Sequence, residues 1–410
     1  MSWKGLSGLN PTILWYVHSG AWLILVGCMV KGDASVRTRI MHMMLPSALV
    51  CIALMAAPHG LFSDDLLRYQ WDGWLTAHGV SPFAMTPNDV SLKDYSYSNG
   101  AAPLPQLLPY ADMLTIYPPG SQILFAIASM VSGGNESIWK LTFWILLVIP
   151  SMALWRISPP RVRPWLALAA LSPIVLLHGF ADSHVDAFMA VFMALALVMH
   201  QRGAITTSAI LLGVAISIKY LPLVMIPVLL HGQCRRDVMR IITLTVGTVG
   251  LIYLPFIGEN LVGSLGRFTQ AWQTNSLIFT VLSWFVSVDL IRPIIGGMLL
   301  IASVYVIRRW RMQPLTVAAL FMNIVMVLSP VVHPWYLLAP LALMPLVPLR
   351  SVITWTFTMC LYAVGYSTYK GSGVWLEHPA ALVLEFIPAM VALVIDVRRG
   401  PLSLLDEHRA

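Results

Sequence analysis

Apolar runs of roughly 15–20 residues recur from one end of this sequence to the other, the length a helix needs to cross ~30 Å of hydrocarbon. Charged residues, only 10% of the 410, gather in the gaps between those runs. Within a bilayer the backbone must satisfy its own hydrogen bonds, so the pattern predicts an all-α, polytopic membrane protein. Threading the runs gives about 11–13 transmembrane helices in a single membrane domain over 1–410. With 58% of residues hydrophobic, a soluble two-domain enzyme is excluded. The net charge of +7 does not point to nucleic acid, because the Lys and Arg residues fall in short clusters between apolar segments. That distribution is a topology signal.

The clusters are Lys31, Arg37 and Arg39; Arg156, Arg161 and Arg163; Arg202; Arg235, Arg236 and Arg240; Arg308, Arg309 and Arg311; Arg350; and Arg398 with Arg399. Set on the cytoplasmic side, they leave spans near 11–30, 40–57, 138–155, 165–178, 185–199, 204–217, 220–231, 241–257, 292–307, 314–328, 335–349, 351–367 and 379–395. Pro222 and Pro227 make 204–231 the ambiguous part of this threading. The apolar stretches 119–132 and 276–288 fit only as re-entrant half-helices, tolerable where protein surrounds them. The first run, Pro11 to Lys31, lacks a small-residue cleavage site and reads as a permanent helix. Cys28, Cys51, Cys234 and Cys360 are too far apart for a metal knuckle and read as packing residues.

Opposite the basic clusters lie the 58–118 loop, the 179–184 turn, the 258–275 loop, the 329–334 turn and the 368–378 loop. A loop as long as 58–118 is uncommon unless it is functional, and this one holds six of the 18 acidic residues. It reads as an extracytoplasmic catalytic loop inserted between transmembrane helices. Three aspartates and an arginine occupy Ser63 to Gly73, more than the end of a membrane helix requires. The segment Asp64 to His78 has the alternation of a short amphipathic helix lying in the membrane interface.

Five constellations carry a family resemblance. Asp65-x-x-Arg68-Tyr69-x-Trp71-Asp72-Gly73, with Gly79-Val80-Ser81-Pro82-Phe83 after it, resembles the first-loop motif of bacterial integral-membrane glycosyltransferases of the GT-C class. More narrowly it resembles the polyprenyl-phosphate-mannose-dependent mannosyltransferase-like group, with Ser81 and Phe83 in place of Asn and Tyr. Ile116-Tyr117-Pro118-Pro119 matches the Tyr-Pro-Pro element that closes the loop. Asp182-Ser183-His184-Val185-Asp186-Ala187 is similar to a Gly-His-Asn-Asp-Ala element, with Asp182 and Val185 in place of the family's Gly and Asn. Ile218-Lys219-Tyr220-Leu221-Pro222-Leu223 is similar to Val-Lys-x-x-Pro-Leu, and His333-Pro334-Trp335-Tyr336-Leu337-Leu338 completes the set. The resemblance covers about residues 58–340 and implies sugar transfer in the cell (inner) membrane. The implied partners are a polyprenyl-phosphate sugar donor, a lipid or glycan acceptor and membrane lipids.

Such a transfer needs a base for the acceptor hydroxyl and cations for the departing phosphate. Asp65 is the candidate base and Asp64 its substitute; the other reading of both is a cap on the loop helix. Arg68, three residues on, either holds that carboxylate ionised, reaches the phosphate or snorkels, and Asp72 is functional or structural. Lys219, amid apolar residues, is a phosphate clamp or an interfacial lysine. His184 and Asp186 are candidates for substrate contact, with a packing role as the alternative for His184. Tyr69, Trp71, Tyr117, Trp272, Trp335 and Tyr336 are aromatic candidates for sugar contacts, although interfacial belts also use such residues. Arg267, an outer-face cation, is a secondary phosphate candidate, and His333 a further phosphate or substrate contact. No cofactor is expected: a divalent metal held by His184, His333 and the aspartates has no ligand spacing behind it. The alternative function is a polytopic lipid or glycan transporter or flippase, which typically carries internal repeats that are not found here.

Overall fold

The computed structural model describes residues 11–32, 34–42, 61–92, 108, 110–267 and 272–402. Cys51, most of the helix expected at 40–57 and residues 93–107 of the long loop lie outside the described residues. Among those described, helices make up the architecture and the isolated bridge between Thr274 and Val331 is the one extended pairing. The protein is an all-α polytopic membrane protein.

Five described helices are long and apolar enough to cross a bilayer: Pro11–Lys31, Glu136–Ile157, Arg235–Phe256, Val288–Trp310 and Pro379–Arg399. A sixth arises if the bent pair Arg163–Ala170 and Ile174–Ala181 forms one span. Other expected spans are present as shorter apolar helices, among them Asp186–Gln201, Ile205–Ile218 and Pro314–Leu328, and proline and turn residues divide several further runs. The run at 220–231 splits into Leu221–Met225 and Ile226–Leu230, with Pro222 and Pro227 each in a first turn, where proline's missing N–H costs nothing. The run at 335–349 becomes Pro334–Leu337 and Leu338–Leu343, and 351–367 is interrupted at Met359–Leu361. Pro119–Ser132 has 14 residues. At 1.5 Å per residue that is ~21 Å, short of the hydrocarbon thickness.

The chain forms two compact units, Leu49–Ser158 with Leu177–Trp272, and Met1–Ala48 with Pro159–Leu176 and Gln273–Ala410. In the unit made of 49–158 and 177–272, the Asp65–Ala77 helix is covered by protein around most of its surface, more than the single apolar face its amphipathic pattern suggests. Leu66 through Gly73 and Leu75 are all buried, and the helix packs against Pro119–Ser132. One side carries Tyr69, stacked on Phe125 with ring centroids 4.4 Å apart. The other carries Leu67, Trp71 and Leu75, which cluster with Leu92 and Leu108. Gly73 permits this approach, since a Cβ there would fall 2.4 Å from the Phe125 carbonyl oxygen. Gly73→Ala is therefore expected to cost about 1–3 kcal/mol through forced helix displacement, read as a lower melting temperature in detergent; an unchanged melt would contradict the packing.

Further along this unit, Ile205–Ile218 packs against both Asp186–Gln201 and Arg235–Tyr253. Gly213 makes the second contact close, its Cβ position lying 2.7 Å from Thr248.

In the other unit, Arg350–Thr358 packs on Pro379–Arg399. Asp396, fully buried, accepts from Arg350 Nη1 at 3.0 Å and from the Ser351 amide at 2.8 Å. Glu385, also buried, accepts from Asn275 Nδ2 at 3.0 Å and Trp355 Nε1 at 3.2 Å. These bonds satisfy Asp396 and one oxygen of Glu385, acidic groups that would be costly to bury alone. Cys28, Cys234 and Cys360 are free thiols.

Candidate active site

Three stretches far apart in sequence converge within the 49–272 unit. The first is the start of the Asp65–Ala77 helix, where the Asp64 side chain makes no capping bond and Ser63 Oγ accepts the Asp65 amide instead, at 3.1 Å. Asp65 is left with its carboxylate directed at neighbours from the other two stretches. Its side chain is one-third exposed, the most open carboxylate of the cluster.

The second stretch is Thr115 to Ser121. Pro118 and Pro119 keep it extended until the Pro119–Ser132 helix begins, with proline in the first turn. Gly120 lets it press on the end of Ile205–Ile218, for a Cβ would lie 2.6 Å from the Ser217 carbonyl oxygen. Ser121 Oγ donates to the Ile218 carbonyl at 2.7 Å, satisfying one of the acceptors left over where that helix stops. Gln122 Nε2 donates to Thr115 Oγ1 and to the Tyr117 carbonyl, fixing the loop from inside. Tyr117 is thereby set between Asp65 and Lys219: its hydroxyl donates to Asp65 Oδ2 at 3.0 Å, and Lys219 Nζ lies 5.9 Å from its ring centroid.

The third stretch is the turn from His178 to Asp186. Ser183 adopts φ 55°, the left-handed region that most side chains avoid, and the His184 amide closes the turn on the His178 carbonyl at 3.0 Å. His184 Nδ1 lies 3.2 Å from the Tyr69 hydroxyl and 3.7 Å from Asp65 Oδ2. Asp186 opens the Asp186–Gln201 helix, where the macrodipole favours a carboxylate. It receives Lys219 Nζ on both oxygens at 2.8 Å. Lys219 is the residue at which Ile205–Ile218 gives way to extended backbone, and its side chain remains 23% exposed.

The electrostatics follow from this packing. Burial pushes the Asp65 carboxyl up to about 6, while the Lys219 charge and the Tyr117 hydrogen bond pull it back and Asp186 and Asp64 add to the rise. The Tyr69 and Tyr117 phenols are held well above their usual range, first by burial, so both remain donors at neutral pH. The cluster combines a carboxylate poised near neutrality, two phenols, an imidazole and a partly exposed ammonium.

Other candidates have different surroundings. Arg68 does not turn to Asp65: its Nε pairs with the buried Asp72 at 2.8 Å and its Nη1 donates to the Met113 carbonyl at 2.9 Å, tying helix to loop. Trp71 is buried in the cluster around Leu67. Asp64 is half-buried beside the helix start. Arg267 forms an exposed ion pair with Asp112 at 2.9 Å, and Trp272 meets Tyr110 edge to face at 4.6 Å. His333 and Tyr336 belong to the other unit, where His333 Nδ1 lies 3.0 Å from the Tyr362 hydroxyl and its ring stacks on Trp335 at 4.4 Å.

Sequence reasoning passed over His178, which looks like one more residue of an apolar run. Its signal is the spacing to Asp182, four residues on: His178 Nδ1 lies 3.0 Å from Asp182 Oδ2. With His184 these are the described residues whose donor atoms, within 4.8 Å of one another, suit a metal ion. The Asp182 carboxylate is already engaged, however, by the Leu61 and Phe62 amides on one oxygen and His178 on the other.

The sequence profile of glycosyltransferase family 87 matches residues 115–334, more than half of the chain. The protein belongs to glycosyltransferase family 87. The matched stretch includes Tyr117, His184, Asp186 and Lys219. This glycosyltransferase is also similar to "Alpha-(1->6)-mannopyranosyltransferase A" of Mycobacterium tuberculosis, at 23% identity over 92% of this chain and 81% of the relative. It is thus a multi-pass membrane glycosyltransferase, which sets aside the transporter alternative.

Proposed function

We propose that this family 87 glycosyltransferase moves a sugar, mannose or another hexose or pentose, from a polyprenyl-phosphate donor to a lipid or glycan acceptor at the extracytoplasmic face of the inner membrane. The observation that carries this reading is the contact set Asp65, Tyr117, Asp186 and Lys219, a carboxylate near neutrality within one cluster with a cation. Asp65 takes the proton from the acceptor hydroxyl. The acceptor oxygen bonds to the anomeric carbon as the bond from that carbon to the phosphate oxygen breaks, and the phosphate leaves with the electron pair. Lys219, positioned by Asp186, stabilises the charge gathering on it. No general acid is required, because phosphate departs as an anion. A lipid carrier supports this assignment: it leaves its chain in the bilayer and presents its phosphate at membrane depth, while nucleotide sugars stay in the cytoplasm.

The pH profile tests the role of Asp65. Its base form is the ionised one, so kcat/KM should be flat above about pH 6 and fall tenfold per unit below it. Since the Lys219 charge lowers that carboxyl, Lys219→Met should move the acid limb to higher pH. An acid limb that stays in place in Lys219→Met, or no acid limb at all, would remove Asp65 from the role of base.

A further inference from the structure

We infer that Asp182 is a positioning residue that holds the Asp65 carboxylate against the His184 turn, setting the geometry of proton transfer without touching substrate. The inference rests on Asp65 being the base.

The segment 61–64 is non-helical and leads straight into Asp65. Phe62 and Ser63 are buried there, so the amides of this segment need partners inside the protein. Asp64 offers no side-chain cap, and the Ser63 bond to the Asp65 amide is local to the same segment. The link to another part of the fold comes from Asp182, whose Oδ1 accepts the amides of both Leu61 and Phe62, across more than a hundred residues of sequence. Two charge-assisted bonds to consecutive amides fix the direction of the chain as well as its position.

Asp182 is held in turn. His178 Nδ1 meets its Oδ2 at 3.0 Å, and the His178 ring packs on Phe62 with centroids 5.8 Å apart. Asp182 and His178 are both fully buried. Two residues after Asp182, the same turn presents His184, 3.7 Å from Asp65 Oδ2, and then Asp186, which orients Lys219. One carboxylate therefore joins the base-bearing helix to the turn that supplies its neighbours. Losing it releases the helix start while leaving Tyr117, Asp186 and Lys219 in place.

The test uses the purified full-length protein in liposomes, with polyprenyl-phosphate mannose as donor and an envelope lipid extract as acceptor pool. Asp182→Ala should lower kcat roughly a hundredfold while both KM values stay within about threefold, the effect of a misplaced reacting group. Asp182→Asn keeps an oxygen for the two amides and should recover to within about tenfold of wild type. If Asp182→Ala does not fold, Asp182→Glu carries the test: one extra methylene displaces the carboxylate, and the same kcat loss at unchanged KM is expected. Wild-type kcat in Asp182→Ala, or in Asp182→Glu where the Ala variant does not fold, or a loss confined to KM, would overturn the inference. So would one equivalent of zinc or manganese in the wild-type protein, by mass spectrometry, that disappears with Asp182→Ala. Asp65→Asn is the control: an active Asp65→Asn sinks the base assignment itself, whereas an inactive one beside a normal Asp182→Ala sinks only the positioning role.

Discussion

Asp65→Asn is expected to lower turnover by about 10²- to 10⁴-fold, the range attributable to one general base, while donor affinity and folding stay close to wild type. Asparagine keeps the size of the side chain and an oxygen for the Tyr117 hydroxyl, which donates to Asp65 Oδ2 at 3.0 Å. What it loses is the capacity to take a proton. Because burial pushes the Asp65 carboxyl up to about 6, its neutral form is already accommodated, so the uncharged amide is tolerated. Asp64→Asn should by contrast remain active, since its side chain makes no cap bond to the helix it precedes. An inactive Asp64→Asn beside an active Asp65→Asn would move the base by one residue. Activity in both variants would remove the base from this loop.

Lys219→Met is expected to impair donor use more than acceptor use and to weaken the fold as well. Asp186, 2% exposed, has both oxygens on Lys219 Nζ, and removing the cation strands a buried carboxylate. Breaking a fully buried pair costs about 3–5 kcal/mol, and the 23% exposure of the Lys219 side chain puts this case at the lower end. The two effects separate in a double variant. Lys219→Met with Asp186→Asn removes the stranded charge and should regain most of the melting temperature, while transfer stays low because no cation faces the phosphate. Recovery of transfer along with stability would reduce the pair to a structural one.

The sequence carries much of this site and little of its wiring. Asp65, Tyr117, His184, Asp186 and Lys219 are each recognisable in short motifs, and all five meet in one unit. Which partner each chooses is another matter. Arg68 lies on the same helical face as both Asp65 and Asp72, and spacing alone does not rank them; burial decides, since Asp72 is fully enclosed. The Lys219–Asp186 pair spans 33 residues and exists because Ile205–Ile218 stops beside the start of Asp186–Gln201. Hydrophobic alternation in 65–77 signals one apolar face, but the helix is buried on a second face that opens only because Gly73 admits the Phe125 backbone. Hydropathy likewise located the apolar runs, and Pro222 and Pro227 marked 204–231 as ambiguous, but it did not fix where these prolines and Pro334 restart the helix. His178 was hidden, and Asp182 stood in its motif without a role, for the opposite reason: their partners are backbone amides and each other, which no motif records.

Donor choice is the measurement that bears most directly on the account. Purified protein in liposomes, given an envelope lipid extract as acceptor, is offered polyprenyl-phosphate mannose in one reaction and GDP-mannose in another, each with wild type and with Asp65→Asn. Transfer from the lipid-linked donor alone, lost in Asp65→Asn, is the expected result. Transfer from GDP-mannose alone would contradict it.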